Sequence, residues 1–210
     1  MNKRSIYTYI AASLAFLVPF PGRFVYGVVL VLELVFLMLI GTSFSLFIKK
    51  FELEELETPL YLIVLISATI FFRQIFILTQ TEIALVLGFD FYLPAASAFL
   101  TGYAHNKSEE KFYVKIKNNM KSVLNFSLFA LCFFLFRDIA GYGTFTFFGT
   151  NHRIYEKVIF DPARISIASF FATIPGALIL CACILCAYIS INRKFRIVHR
   201  ANFAKKENSK

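Results

Sequence analysis

The sequence predicts an all-α fold: a polytopic integral membrane protein with six transmembrane helices. Of its 210 residues, 58% are hydrophobic and 18% aromatic, with 27 Phe and no Trp, against about 45–50% apolar residues in a typical soluble domain. Mean hydropathy is +0.67, and apolar runs long enough to cross a bilayer follow one another almost from end to end. This composition excludes soluble enzymes and disordered, collagen-like or disulfide-stapled chains.

Six apolar runs, bounded by charged residues, Pro and Gly, are predicted to span the membrane. They cover residues 5–20, 24–48, 59–79, 83–104, 122–148 and 165–192. The first run is short and ends in PFPG (19–22), so we expect an interrupted helix there. It follows Lys3 and Arg4 as a signal peptide would, but no small-x-small cleavage site precedes Pro19, so we expect it to be retained. Residues 1–192 form one predicted transmembrane domain, and 193–210 form a basic tail.

The distribution of positive charge predicts that both chain ends are cytoplasmic. Most of the 22 Lys and Arg residues lie on one side of the predicted spans, together with both chain ends. The opposite side carries only Arg23, Arg153, Lys157 and Arg164. Because cytoplasmic loops are enriched in Lys and Arg, the prediction is a multi-pass membrane protein whose N- and C-termini are cytoplasmic. The net charge of +9 does not indicate nucleic-acid binding, since no basic stripe with interleaved aromatic residues is present.

A short motif that occurs twice suggests an internal repeat. AASLAFL (11–17) recurs as AASAFL (95–100), and the two copies fall in the first and fourth predicted spans. Three spans in each half, 5–79 and 83–192, would give the halves opposite orientations, which is the 3+3 inverted repeat of many transport folds. Chance recurrence of small residues in closely packed helices is the alternative.

Several segments resemble a known family in their order and spacing. They are FRDIAGYGTFTFFG (136–149), ATIPGALI (172–179), KKFELEELETPLYL (49–62) and LGFDFYLPAASAFLTGYA (87–104). The chain resembles the Rnf/Nqr membrane-subunit family over roughly residues 5–192. It is most similar to the type represented by the E subunit of Rnf electron transport complexes and the D subunit of Na⁺-translocating NADH:quinone oxidoreductases.

The resemblance implies a role within a redox-driven ion-translocating complex of the bacterial cytoplasmic (inner) membrane. Two homologous six-helix subunits of opposite topology would enclose an iron centre, held by cysteines on broken first and fourth helices. Flavin and iron–sulfur groups are expected only in partner subunits. The bilayer and such a complex are therefore the predicted partners, and this chain is at most a non-catalytic subunit.

The sequence departs from the family where the iron ligands are expected. Ala15 and Ala98 occupy the two cysteine positions, and a methyl group has no donor atom for iron. Asn118 stands where the family carries an acidic residue before the fifth span. We therefore predict no cofactor and no metal in this chain.

The four cysteines offer no substitute ligand set. They are Cys132, Cys181, Cys183 and Cys186, all within apolar segments. Three of them form CACILC (181–186) on one predicted helix, whereas a metal site draws ligands from several elements. We interpret all four as packing residues, and no disulfide framework is expected.

Ionisable residues inside the predicted spans are functional candidates, because each costs about 2.5–3.5 kcal/mol or more to place at the bilayer centre. Glu33, Arg73 and Asp90 lie within the second, third and fourth spans. One interpretation is an ion or proton path through Glu33 or Asp90, with Arg73 as counter-charge. The other is an internal Arg–carboxylate pair that fixes helix packing.

A second group of residues lies within the fifth and sixth predicted spans and is expected to shape a turn and a helix break there. Arg137 and Asp138 are adjacent, so they lie on different faces of a helix and should find separate partners. Glycines there permit a close or left-handed backbone, and a Pro-Gly pair would interrupt the sixth helix. The residues concerned are Arg137, Asp138, Gly141, Gly143, Pro175 and Gly176.

Three functions remain open from the sequence. The first is a divergent membrane subunit of an Rnf/Nqr-type ion-translocating electron transport complex, structural or ion-conducting, without its own iron centre. The second is a stand-alone inverted-repeat transporter or channel for a small ion or metabolite. The third is a membrane assembly factor without transport of its own.

Overall fold

The computed structural model describes residues 14–51, 54–105, 112–149, 153–160, 168–186 and 190. Within these ranges the chain is mainly helical. The α-helices are α1 (Phe24–Lys50), α2 (Glu57–Thr79), α3 (Thr81–Leu87), α4 (Tyr92–His105), α5 (Phe112–Arg137) and α6 (Ile174–Cys186). Shorter elements are a helical turn at 14–17, 3₁₀ turns at Glu54–Leu56 and Ala168–Ala172, and a π-helical turn at Asp138–Tyr142. Two strands, β1 (Thr144–Phe148) and β2 (Ile154–Val158), form an antiparallel hairpin.

Three helical stretches are long and apolar enough to cross a membrane: Phe24–Ser45, Glu57–Thr79 and Asn119–Tyr142. Helices α3 and α4 form a fourth candidate span that is bent by 66°. The described residues therefore contain three or four such spans. The predicted first and sixth spans lie partly outside the described residues.

The bend in the fourth span has a local cause. Helix α3 ends at Gly88, whose φ of 45° lies in the left-handed region that favours glycine. Helix α4 begins at Tyr92, and Pro94 lies in its first turn, where the missing N–H of proline costs no hydrogen bond. Asp90 lies in the break between the two helices.

Helix α1 is the centre of the bundle and packs against α2, α4 and α5. Two glycines allow the close approach. A Cβ at Gly27 would collide with the ring of Phe134 on α5, and one at Gly41 would collide with Tyr61 on α2. Small residues at helix contacts let backbones approach closely, and close van der Waals packing drives association in lipid, where helices gain no hydrophobic driving force from meeting.

The predicted fifth span, 122–148, runs too far at its C-terminal end, since the candidate span of the structure is Asn119–Tyr142. The helix begins ten residues earlier, at Phe112, and helical structure stops at Tyr142. Gly143 has a φ of 67°, and residues 144–148 form β1 in place of helix. The segment TFTFF alternates Thr with Phe, which suits the period-2 pattern of a strand. The fold is therefore mostly helical but not all-α.

The hairpin lies over the N-terminus of α1, and we call this side of the molecule the hairpin end. Its register pairs Thr144 with Val158 and Phe148 with Ile154. Phe24, the first residue of α1, stacks on Phe145 with ring centroids 5.3 Å apart. The opposite side holds the C-terminus of α1 and the N-termini of α2 and α5.

Candidate functional site

Glu33 is the most deeply buried carboxylate of the bundle that has no partner. It lies near the middle of the apolar stretch Phe24–Ser45, and its side chain is 0% exposed. Neither carboxylate oxygen has a hydrogen-bond partner among the described residues. A buried polar group without a partner is costly, so this carboxylate is the principal candidate for a functional group.

The helix register places Glu33 on the side of α1 that faces α2. Phe36 and Gly41 both contact α2: the Phe36 ring lies 5.6 Å from that of Phe72, and the Tyr61 hydroxyl lies against Gly41. At 100° per residue, Glu33 lies between these two positions around the helix. Its side chain therefore extends toward the α1–α2 contact.

The interrupted fourth span adjoins the same part of α2. Phe91, the last residue of the break, has its ring 6.5 Å from that of Phe72 and 6.3 Å from that of Phe76. Phe72 thus packs against both α1 and the break. Through Phe72, the face of α1 that carries Phe36 is linked to the break.

Two buried hydroxyl groups accompany Glu33 in the bundle. Thr69 on α2 is 0% exposed and Ser127 on α5 is 4% exposed. Their hydroxyl oxygens have no hydrogen-bond partner in the part of the chain that the structure describes. Thr69 lies one helical turn before Phe72, on the buried face of α2.

The structure does not bring the three charged candidates together. Within the described ranges the ion pair is between Arg23 and Glu156, at 2.9 Å, so Arg73 is not within pairing distance of Glu33 or Asp90. The Arg73 side chain is half-buried, and its Nε has no partner there. Arg73 therefore does not form the expected ion pair with either carboxylate in this structure.

The positions that resemble iron-ligand sites carry no donor atom. Ala98 is buried on α4, and Ala15 is half-buried in the helical turn 14–17. Neither methyl group can bind a metal, so these two positions cannot ligate iron. Among the described residues no cluster of three or more His, Cys, Asp or Glu is found.

The cysteines are free thiols. Cys181 is buried, while Cys132, Cys183 and Cys186 are exposed on the helix surfaces. In a bundle surrounded by lipid, these three exposed thiols face the hydrocarbon or another chain. Asn118 lies on α5, one residue before Asn119, whose amide donates to the Thr42 hydroxyl at 3.4 Å.

Arg137 lies fully buried at the hairpin end, with four backbone carbonyls around its guanidinium. Its Nη1 donates to the carbonyl oxygens of Leu17 and Phe20 at 3.3 and 2.9 Å. Its Nε donates to Phe171 at 3.2 Å, and its Nη2 to Ala172 at 3.0 Å. Arg137 thereby joins the segment before α1 to the segment before α6.

Asp138 is also fully buried and contacts a different set of groups. Its Oδ2 accepts from the backbone N–H of Phe24 at 3.1 Å and from the N–H and hydroxyl of Thr146 at 2.8 and 2.7 Å. Its Oδ1 accepts from the Thr144 hydroxyl at 2.9 Å. Because the first N–H groups of a helix have no helical partner, Asp138 caps α1 and ties β1 to it.

The glycines and the Pro-Gly pair lie where backbones meet. A Cβ at Gly141 would lie 2.8 Å from the backbone nitrogen of Ala172, and one at Gly176 would collide with the Phe170 carbonyl. The carbonyl oxygen of Gly143 accepts from Ile159 and Phe160 at 2.8 and 3.0 Å. Pro175 lies in the first turn of α6, so the helix is interrupted before it, at Thr173.

Several residues of this junction were not singled out from the sequence. Thr144 and Thr146 supply the partners of Asp138, and Arg23 pairs with Glu156 on β2. Glu82 on α3 accepts from the Ile154 N–H at 2.9 Å. The Thr-Phe alternation after Gly143 was the signal available for the first two.

Comparison of the chain with known protein families, curated proteins and solved structures finds no match. The described residues define a mostly helical protein with apolar helices long enough to span a membrane. One of its candidate spans is interrupted, and its central helix carries a buried, unpaired carboxylate.

Proposed function

We propose that this chain is an ion-conducting membrane subunit of an Rnf/Nqr-type electron transport complex, without an iron centre of its own. The observation that carries the ion-conducting part is Glu33, a carboxylate buried without a partner in the central helix. Ionisable groups retained at such depth mark ion or proton pathways. A carboxylate there takes up and releases a cation or a proton, since the neutralised form is the one that an apolar environment tolerates.

The interrupted fourth span supports the same role. Non-helical backbone at membrane depth is tolerated where protein covers it or where it lines a cavity, and transporter sites are built at such breaks. The break at 88–91 adjoins the part of α2 that Glu33 faces. We therefore place the path between α1, α2 and the break.

The arrangement of charges supports the proposed orientation. Besides the buried Arg137, the described cations of the hairpin end are Arg23, Arg153 and Lys157, whereas the opposite end carries Lys49, Lys50, Lys115, Lys117 and Lys121. Because positively charged loops stay in the cytoplasm, we propose that the hairpin end faces away from it. The full proposed topology has six spans in a 3+3 inverted repeat in the bacterial inner membrane, with both chain ends cytoplasmic.

The membership of a complex rests on the resemblance in motif order and spacing. In the proposed role, electrons travel through flavin and iron–sulfur groups of partner subunits, including a homologous six-helix subunit of opposite topology. Ala15 and Ala98 cannot contribute to a shared iron site, so this chain supplies packing and an ion route.

Flux through the protein purified from its native membrane, with whatever chains accompany it, tests the role of Glu33. After reconstitution into vesicles, Glu33→Gln is expected to abolish ion movement driven by a membrane potential. Glu33→Asp is expected to retain part of it. Glu156→Gln, at the exposed hairpin, is the matched control and should leave flux unchanged. Undiminished flux in a folded Glu33→Gln protein would exclude the path.

A stand-alone transporter or channel is the second candidate, and the missing thiols at Ala15 and Ala98 favour it. The two roles differ in what accompanies the protein. Gentle purification through a C-terminal tag, with mass spectrometry, iron and flavin measured on one sample, separates them. A homologous partner with flavin-bearing chains supports the redox complex. Recovery alone, with flux that depends on Glu33, supports the transporter.

A further inference from the structure

The four carbonyls around Arg137 share one property: each lacks the helical donor that would otherwise bind it. In an α-helix the carbonyl of residue i accepts from the N–H of residue i+4. For Leu17 and Phe171 that residue is Pro21 and Pro175, and proline has no N–H.

The other two carbonyls have lost their donors to side chains. The N–H of Phe24, four residues after Phe20, donates to Asp138 at 3.1 Å. The N–H of Gly176, four residues after Ala172, donates to the Thr173 hydroxyl at 3.4 Å. The same arrangement therefore occurs twice, once before α1 and once before α6.

Unpaired carbonyls at a helix end carry partial negative charge, and here two such ends converge on one point. Among the described residues, the hydrogen bonds of the guanidinium all go to these carbonyls. The Phe133 ring lies on the remaining side, with its centroid 5.7 Å from Cζ, within the range of a cation–π contact.

We propose that these four carbonyls form a cation site for a planar guanidinium group, and that Arg137 is its permanently tethered occupant. Arg137 is then a positioning residue: it holds the interrupted segments at 17–20 and 171–172 together as one unit. A lysine ammonium would not replace it, since a single nitrogen with three donors cannot match four acceptors in this fork geometry. This inference is independent of the ion path through Glu33.

Chemical rescue tests the site directly. The full-length Arg137→Ala protein in lipid nanodiscs should have a lower Tm than wild type. Free guanidinium should bind the vacated site and raise the Tm of this variant. The expected rise is about 3–6 °C when the guanidinium concentration is tenfold above the Kd of guanidinium for that site. Wild type should show no rise, because its site is filled and guanidinium otherwise weakens folding. The Tm should therefore rise for Arg137→Ala and stay level or fall for wild type.

Three controls define what would overturn the proposal. Arg23→Ala removes an arginine at the same end that pairs with one exposed carboxylate, and it should show no rescue. Sodium chloride and urea at matched concentrations should not rescue Arg137→Ala. An equal response of wild type and Arg137→Ala to guanidinium, or rescue by sodium chloride, would disprove a guanidinium site.

A measurement on the wild-type protein covers the case in which Arg137→Ala does not fold. With ¹⁵N-labelled arginine, the Nη protons of Arg137 should give separate, slowly exchanging NMR signals, because all three nitrogens are held. These signals should be absent from Arg137→Lys. One averaged, rapidly exchanging Nη signal from Arg137 would contradict the enclosed site.

Discussion

Adjacent residues at the end of α5 carry opposite charges, and each meets backbone groups of the complementary sign. Arg137 binds carbonyl oxygens at two interrupted helix ends, while Asp138 binds the first N–H group of α1. The two side chains do not pair with each other in the structure. Each charge is instead neutralised by the partial charges of helix ends, which is how both remain fully buried.

Removing the Asp138 carboxylate should therefore be strongly destabilising. Asp138→Ala leaves the Phe24 N–H and both groups of Thr146 without an acceptor, and we expect a loss of about 3–4 kcal/mol in the free energy of unfolding. Chemical unfolding in micelles measures it. Glu156→Ala, which breaks the exposed pair with Arg23, should cost about 0–1 kcal/mol. Equal costs for the two variants would contradict the role of Asp138 as a buried cap.

Glu33 should behave in the opposite way. Because its carboxylate has no partner, Glu33→Leu should raise the free energy of unfolding by about 1–2 kcal/mol. Glu33→Gln, which keeps the shape, should change it little. The same unfolding measurement tests both variants. In the flux assay, Glu33→Leu should conduct no ions. A clear loss of stability in Glu33→Leu would show that the carboxylate has a structural partner after all.

At the scale of elements, the α1–α5 contact depends on one small residue. Gly27 lies directly against the Phe134 ring, so Gly27→Ala should destabilise the protein by about 1–3 kcal/mol through overpacking. In the Gly27→Ala, Phe134→Ala double variant the added methyl has room, and the two effects should not add. Ser43→Ala, at an exposed position on α1, is the control and should lie within about 0.5 kcal/mol of wild type. Strict additivity would contradict direct contact.

Helices were the elements that the sequence predicted best. Length and hydropathy place α1 and α2 within about two residues of their observed bounds, because a bilayer requires long apolar runs whatever their neighbours. The strand β1 was not predicted, because its conformation depends on its neighbours. TFTFF is apolar enough to extend a span. Its strand conformation is fixed by pairing with β2 and by the bonding of its threonines to Asp138, and hydropathy reveals neither contact.

The site was predicted in part. Hydropathy alone singled out Glu33, since a carboxylate within an apolar run is conspicuous. The pairing with Arg73 was not found, because spacing along the chain does not fix which helices meet. Separate partners for Arg137 and Asp138 followed from helix geometry. That those partners would be backbone groups of other segments depends on the packing of the whole bundle.

At the scale of the whole molecule, the two ends differ in charge. This difference predicts which end can be reached by reagents from outside the cell. In a background with the four cysteines replaced by alanine, Lys157→Cys should react with a membrane-impermeant maleimide in intact cells. Lys117→Cys should react only after the membrane is opened. This follows because the hairpin end carries fewer cations and should face outward. Reaction of Lys117→Cys alone in intact cells would reverse the orientation.

The cap of α1 also has a consequence for the order of biosynthesis. The partner of the Phe24 N–H lies 114 residues later in the chain, and the partner of the Val25 N–H lies 121 residues later. When the ribosome has finished α1, the groups that complete its first turn have not been made. The hairpin end is therefore assembled only after α5 and β1 have been translated. A chain truncated before Arg137 lacks the groups that cap its central helix, and we expect it to be degraded faster than the full-length chain.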